Sequence, residues 1–140
     1  MRFSALFAVC LLVSMPVPAT AGTSAIRPFA SADVFALEWA SDPQIAPDGL
    51  QVAYVRHSFD IKTDLSRRMI WLVSRDGTEH RPLAGDTAQE SSPRWSPDGT
   101  RLAYVSGDAE GGAQIFVKWL AEAVTTRVTN LTEVPSRLVW

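Results

Sequence analysis

The chain has 140 residues, enough for one domain or less, and its 46% hydrophobic and 20% charged residues exclude a disordered polypeptide. Thirteen Lys and Arg stand against 15 Asp and Glu, for a formal net charge of -2. There is no basic block, so nothing in the chain calls for a nucleic-acid partner.

Arg2 followed by Leu6-Phe7-Ala8-Val9-Cys10-Leu11-Leu12-Val13 has the layout of a secretory signal peptide. The apolar run is too short for a membrane span, and Met15-Pro16-Val17-Pro18 breaks any helix it begins. Small residues at Ala19-Thr20-Ala21 put the expected cleavage after Ala21. The expected product is secreted or periplasmic, with no membrane attachment after cleavage. Cys10 is the one cysteine and departs with residues 1–21. It follows Val9 in mid-run, which is not the position a lipoprotein signal uses. The remaining chain has no disulfide and must be held by packing.

Residues 22–42 read as a lead-in. Positions 22–30 show no periodicity. Ser31-Ala32-Asp33-Val34-Phe35-Ala36-Leu37-Glu38-Trp39 predicts a short helix, capped by Ser31 or Asp33, with Val34 and Leu37 on one face. Ser41-Asp42-Pro43 is expected to end it, because the residue before a proline is driven out of the helical region.

Ser92-Pro93-Arg94-Trp95-Ser96-Pro97-Asp98-Gly99-Thr100-Arg101-Leu102-Ala103-Tyr104-Val105-Ser106 then reads as strand, tight turn, strand. Pro97 presets φ for the second position of a type I turn, and Gly99 takes positive φ without steric cost. The same pattern occurs earlier. Pro43-Gln44-Ile45-Ala46-Pro47-Asp48-Gly49 aligns with Pro93-Arg94-Trp95-Ser96-Pro97-Asp98-Gly99 at an offset of 50. Gln51-Val52-Ala53-Tyr54-Val55-Arg56 aligns with Arg101-Leu102-Ala103-Tyr104-Val105-Ser106 at the same offset. Ile70-Trp71-Leu72-Val73 aligns with Ile115-Phe116-Val117-Lys118 at 45, the difference falling in a longer polar connection at 57–68. Fourth strands are expected near Glu79-His80-Arg81-Pro82-Leu83 and near Thr126-Arg127-Val128-Thr129. A third unit opens at Ser136-Arg137-Leu138-Val139-Trp140, with Trp140 in the position of Trp95.

Four short strands repeating every 45 to 50 residues predict an all-β chain, a partial β-propeller of four-stranded antiparallel blades. Blade one is expected at about 43–84, blade two at about 92–130, and the first strand of a third blade at 136–140. Unalternating runs such as Leu102-Ala103-Tyr104-Val105 fit strands covered on both faces. Propellers close with roughly four to eight blades. The expectation is therefore that 43–140 is an incomplete propeller from the N-terminal part of a longer protein.

Chemistry is sparse. No Gly-x-Ser-x-Gly stretch is present to hold a hydrolase nucleophile on a strained turn. His57 and His80 read as solvated surface residues, since no nucleophile stands ready for either. Asp108-Ala109-Glu110-Gly111-Gly112 reads as a hairpin turn, without the ligand spacing of a calcium loop. Asn130-Leu131-Thr132 is a formal glycosylation sequon. The connection at 57–68, with Arg67-Arg68, reads as solvated. Trp71, Trp95 and Trp140 read as packing residues. No catalytic, cofactor-binding or metal-ligating residue is assigned.

The stretch from Asp33-Val34-Phe35-Ala36-Leu37-Glu38 through Ser41-Asp42-Pro43-Gln44-Ile45-Ala46-Pro47-Asp48-Gly49 to Val55 resembles the start of the propeller in prolyl oligopeptidase-family serine peptidases. The acylaminoacyl-peptidase and dipeptidyl-peptidase branches are the most similar, and Ser91-Ser92-Pro93-Arg94-Trp95-Ser96-Pro97-Asp98-Gly99 continues the likeness. The resemblance implies an N-terminal propeller that restricts access to short peptides. It also implies a C-terminal α/β-hydrolase domain that carries the catalytic Ser, Asp and His. None of those motifs lies in this sequence, so this stretch is expected not to catalyse on its own. Two other families share the Pro-Asp-Gly repeat: the protein-binding propeller of the Tol system, and secreted metal-dependent amidohydrolases with an N-terminal propeller.

Overall fold

The computed structural model describes residues 27–84, 89–107 and 112–140. The expected signal segment with Cys10 and the Ala21 cleavage point, residues 22–26 of the lead-in, and the acidic turn at 108–111 lie outside the described residues. Among the described residues eight strands form two four-stranded antiparallel sheets, each paired in chain order. Blade one holds β1 (Trp39–Ile45), β2 (Gln51–Asp60), β3 (Leu65–Ser74) and β4 (His80–Pro82). Blade two holds β5 (Glu90–Trp95), β6 (Arg101–Gly107), β7 (Ala113–Trp119) and β8 (Val124–Arg127).

The repeat read from the sequence holds at the level of single residue pairs. Tyr54 lies opposite Trp71 as Tyr104 lies opposite Phe116, and Val55 opposite Ile70 as Val105 opposite Ile115. Both Pro-Asp-Gly turns close alike. The Gly49 N–H donates to the Ala46 carbonyl and the Gly99 N–H to the Ser96 carbonyl, each at 2.9 Å. Both glycines have φ of +70°. In the second turn Asp98 Oδ1 accepts from the Ser96 hydroxyl (2.6 Å), the Thr100 N–H (3.0 Å) and the Thr100 hydroxyl (2.9 Å). Those donors, Ser96 first, hold its carboxyl well below the usual carboxylate range.

The blades converge at their first strands and splay outward. β5 touches β1, β2 and β3, whereas neither β4 nor β8 reaches the other sheet. Between them lies the core: Ala53, Val55, Ile70, Leu72 and Leu83 from blade one against Leu102 and Tyr104 from blade two, with Trp95 and Phe116 at its margin. Each fully buried aliphatic side chain there contributes about 1.5–3 kcal/mol. Glu90, fully buried at the start of β5, accepts the Ile70 N–H at 2.8 Å. In blade two the equivalent Ile115 N–H donates instead to Thr129 Oγ1 at 2.9 Å. A side chain thus satisfies the third-strand N–H that each short fourth strand leaves open.

Four details differ from the sequence reading. The lead-in helix is a six-residue 3-10 turn, Ser31–Ala36, and ends before Leu37. Ser41-Asp42-Pro43 does not stop a helix; it is a bulge inside β1, where the register slips between Ser41 and Gln44 and Asp42 has φ of +47°. A proline without an N–H serves a bulge as readily as a helix stop. The connection at 57–68 is mostly ladder rather than loop. β2 and β3 continue to the pair Asp60–Leu65, and the Asp60 carboxylate closes the turn by accepting the Lys62 N–H at 2.9 Å. The segment 136–140 is not part of a ladder. Arg137 nonetheless has a positive φ (+56°), as Asp42 (+47°) and Ser92 (+55°) have at the equivalent positions.

Gly99→Val is expected to lower stability by at least about 1–2 kcal/mol, because a β-branched side chain resists positive φ. Gly107→Ala is the control: its φ is not positive, and the added Cβ meets its nearest neighbours at 3.9 and 4.0 Å. Thermal unfolding of the two variants should show the loss at Gly99 alone.

Candidate functional site

The surface with the most specific polar geometry is formed by the first strands, where the blades meet. The bulge turns the Asp42 carboxylate toward β5, and Arg94 Nη1 donates to its two oxygens at 2.9 and 3.1 Å. Gln44 Nε2 donates to Asp42 Oδ1 at 2.8 Å. Gln44 and Arg94 are repeat-equivalent, so the pair ties successive first strands together. Both charged side chains keep about a third of their surface exposed (32% and 30%), so solvent screening limits the pair to roughly 0–1 kcal/mol.

Two indoles sit in equivalent places. Trp95 Nε1 donates to the Gln44 carbonyl and Trp140 Nε1 to the Arg94 carbonyl, each at 2.9 Å. Each tryptophan therefore fastens its own strand to the first strand of the preceding unit. Arg101 lies over the Trp140 ring at 5.2 Å. Trp140 remains half exposed, unlike a core residue.

At the other end of β1, the Ser41 hydroxyl lies 2.6 Å from His57 Nε2, and Trp39 stacks on the imidazole at 4.7 Å and 9°. His57 is thus a half-buried ladder residue and not the solvated strand end expected from the sequence. Burial, then the Arg68 guanidinium, pushes its pKa below the ordinary value. A Ser–His pair invites comparison with a hydrolytic site, but a general base there needs a carboxylate to support the imidazolium it forms. Here the charge acting on His57 is positive, which opposes that form.

His80 lies on β4, as the sequence placed it in an outer strand, with its Nε2 2.7 Å from Tyr54 Oη. Trp71 packs between His80, at 4.8 Å, and the guanidinium of Arg56, at 4.4 Å. Arg67 reaches Asp60 at 3.8 Å, and Arg68 Nε donates to Gln89 Oε1 at 3.0 Å, so both bind locally. Asn130 of the sequon accepts from Arg127 at 2.5 Å. Among the described residues no three His, Cys, Asp or Glu side chains are grouped to hold a metal ion.

Sequence reasoning missed Asp42, Arg94, Glu90 and the Ser41–His57 pair. The left-handed residue at the bulge recurs at Asp42, Ser92 and Arg137, but their side chains differ, so no motif marks it. The available signal was the proline after Asp42 and after Ser92, at the same place in two repeat-equivalent strands.

These features define a class: consecutive β-propeller blades joined at their inner strands by indoles, an ion pair and an aliphatic core. The chain is similar to the N-terminal propeller region of prolyl oligopeptidase-family serine peptidases. It is 29% identical to the uncharacterized peptidase YuxL of Bacillus subtilis over 77% of its own length and 16% of the relative's. Dipeptidyl-peptidase 5 of Porphyromonas gingivalis matches at 26% identity over 80% of this chain and 16% of that one. The solved acylaminoacyl peptidase of Pyrococcus horikoshii superposes with a TM-score of 0.60 at 24% identity, covering 74% of this chain and 15% of that one. The Tol-Pal system protein TolB of Coxiella burnetii is 32% identical over 61% of this chain and 18% of its own. No protein-family model matches. The chain spans about a sixth of the length of the peptidases it matches (16%).

A histidine whose folded pKa is lowered adds stability above its unfolded value of about 6.5, and that stability is lost as pH falls through the folded value. Acidification from about pH 7.5 to about pH 5 should therefore lower the melting temperature of the chain. His57→Gln should make that fall smaller, which paired melting curves at the two pH values will reveal.

Proposed function

We propose that this chain is the N-terminal, substrate-gating propeller portion of a secreted serine peptidase acting on short peptides. The carrying observation is the match over about four-fifths of the chain to a stretch of peptidases some six times as long (80% of this chain, 16% of the relative). In this reading the catalytic Ser, Asp and His belong to an α/β-hydrolase domain elsewhere in the full protein. The propeller contributes a wall that admits only thin, extended substrates. The first strands suit that task. Their exposed groups are hydrogen-bond and ion-pair partners held on rigid ladder, and substrate positioning is the kind of work such groups do. The reading includes export, with cleavage after Ala21.

The likeness to TolB favours a second reading, a periplasmic propeller that binds proteins and performs no chemistry. It rests on a shorter stretch of the chain than the peptidase likeness, 61% against 77% and 80%.

The full-length protein carrying this stretch should hydrolyse aminoacyl or dipeptidyl chromogenic substrates and react with a fluorophosphonate serine probe. The 140-residue chain alone should do neither. A full-length protein inert to both reagents would sink the peptidase reading, and hydrolysis by the short chain would sink the gating role. Mass spectrometry of the exported protein should find Gly22 at its N-terminus.

A further inference from the structure

One end of blade one departs from the repeat. Trp39 lies opposite His57 in the ladder, and His57 opposite Arg68. At offsets of 50, 50 and 45, blade two has Gln89, Gly107 and Ala113 in their places. The β6–β7 ladder ends at the pair Gly107–Ala113, whereas β2 and β3 run on to Asp60–Leu65. Blade geometry does not demand these side chains, because blade two is built without them.

Directly opposed residues in a ladder share a face, and so do alternate residues of one strand. Trp39, His57, Phe59 and Arg68 therefore stand together. Trp39 stacks on His57 at 4.7 Å and meets Phe59 at 5.5 Å with the rings tilted by 47°. The tilted rings make an apolar corner, and Trp39 is left 46% exposed. Arg68 borders it. Its Nε donates to Gln89 Oε1 at 3.0 Å, and Gln89 Nε2 donates in turn to the Ser66 carbonyl at 2.9 Å. Arg67 pairs with Asp60, but among the described residues no carboxylate pairs with Arg68. Neither Nη group of Arg68 nor the Trp39 indole N–H has a hydrogen-bond partner among them. A guanidinium held at Nε with both Nη groups free is the fork that a carboxylate fits.

Deepening the peptide reading above, on which it rests, we infer that this corner is a docking subsite for a short peptide carrying an apolar side chain and a carboxylate. The apolar side chain lies between Trp39 and Phe59, and the Arg68 fork takes the carboxylate. The Trp39 N–H is left to donate to a peptide carbonyl. The strands that carry Trp39 and Arg68 are two ladder spacings apart, about 10 Å. An extended peptide covers that distance in about three residues. A C-terminal carboxylate with the apolar residue two places earlier meets the span, and an acidic side chain at the last position offers the same chemistry.

The test is calorimetric binding to the full-length protein, treated first with the fluorophosphonate probe so that peptides stay intact. The probes are acetyl-Phe-Ala-Ala as the free acid, the same peptide as its C-terminal amide, and acetyl-Phe-Ala-Glu amide. The acid should bind about five- to tenfold more tightly than the amide, the range for a charge-assisted pair at an exposed site. The Glu peptide tells the two carboxylate sources apart: it binds like the acid if a side chain serves, and like the amide if only the terminus does. Arg68→Gln should abolish the preference and leave amide binding in place. Arg67→Gln, the same charge change at a paired arginine, should retain it. Trp39→Leu should weaken all three peptides about fivefold, and Phe59→Leu reads the same corner if that variant does not fold. Equal binding of acid and amide overturns the inference. So does a preference that survives Arg68→Gln, or peptide affinity that is unchanged in a folded corner variant. Hydrolysis is scored separately on untreated protein. Carboxylate-dependent binding without hydrolysis keeps the subsite and removes the peptidase reading, and hydrolysis without such binding does the reverse.

Discussion

A four-stranded sheet whose strands run from three to ten residues cannot bury its own faces, and this chain has no disulfide to compensate. Its order therefore depends on one sheet lying against the next. The contact that achieves this is narrow: Val55, Ile70 and Leu72 of blade one meet Leu102 and Tyr104 of blade two, and the sheets spread apart beyond it. The wedge shape follows from which strands touch. β5 rides over the first three strands of blade one, while the fourth strands have no neighbour across the gap. Glu90 belongs to the same contact, since it reaches out of β5 to satisfy an N–H of β3.

The inner-strand features follow from that wedge. A bulge lets each first strand carry a proline and still pair on both sides of it. The bulge aims Asp42 at the neighbouring blade, where Arg94 meets it, and the two tryptophan N–H groups fasten each strand to the carbonyl of the one before. None of these contacts is strong alone. Together they fix the lateral position of one blade on the next, which an aliphatic interface leaves loosely defined. That rigidity is what a gating or binding surface requires. It arises from repetition, not from a specialised loop.

Much of the fold was legible because its signals are local and occur twice. Pro47-Asp48-Gly49 and Pro97-Asp98-Gly99 each specify a turn through backbone chemistry, and a second copy at an offset of 50 turns a hairpin into a blade. The site was much less legible. His57 looked solvated because its neighbours Ser58 and Asp60 are polar, yet Trp39 covers it from a strand that local propensity assigned to a helix. Asp42 and Arg94 lie 52 positions apart, and each reads in isolation as an ordinary surface charge. Glu90 gave no sign of burial, because its partner is a backbone N–H whose vacancy depends on where β4 stops.

The amino-acid order alone determined the two Pro-Asp-Gly turns, the strand count per unit, the offsets that match Tyr54 to Tyr104 and Trp71 to Phe116, and the absence of a hydrolase elbow from this sequence. These depend on residues within one or two turns of each other, or on a period that can be counted. Only the tertiary structure decided which face of each blade is buried, and where Asp42, Ser41 and Glu90 find their partners. Those outcomes depend on how two sheets are set against each other. That arrangement is chosen by packing over the whole interface and leaves no local mark in the chain.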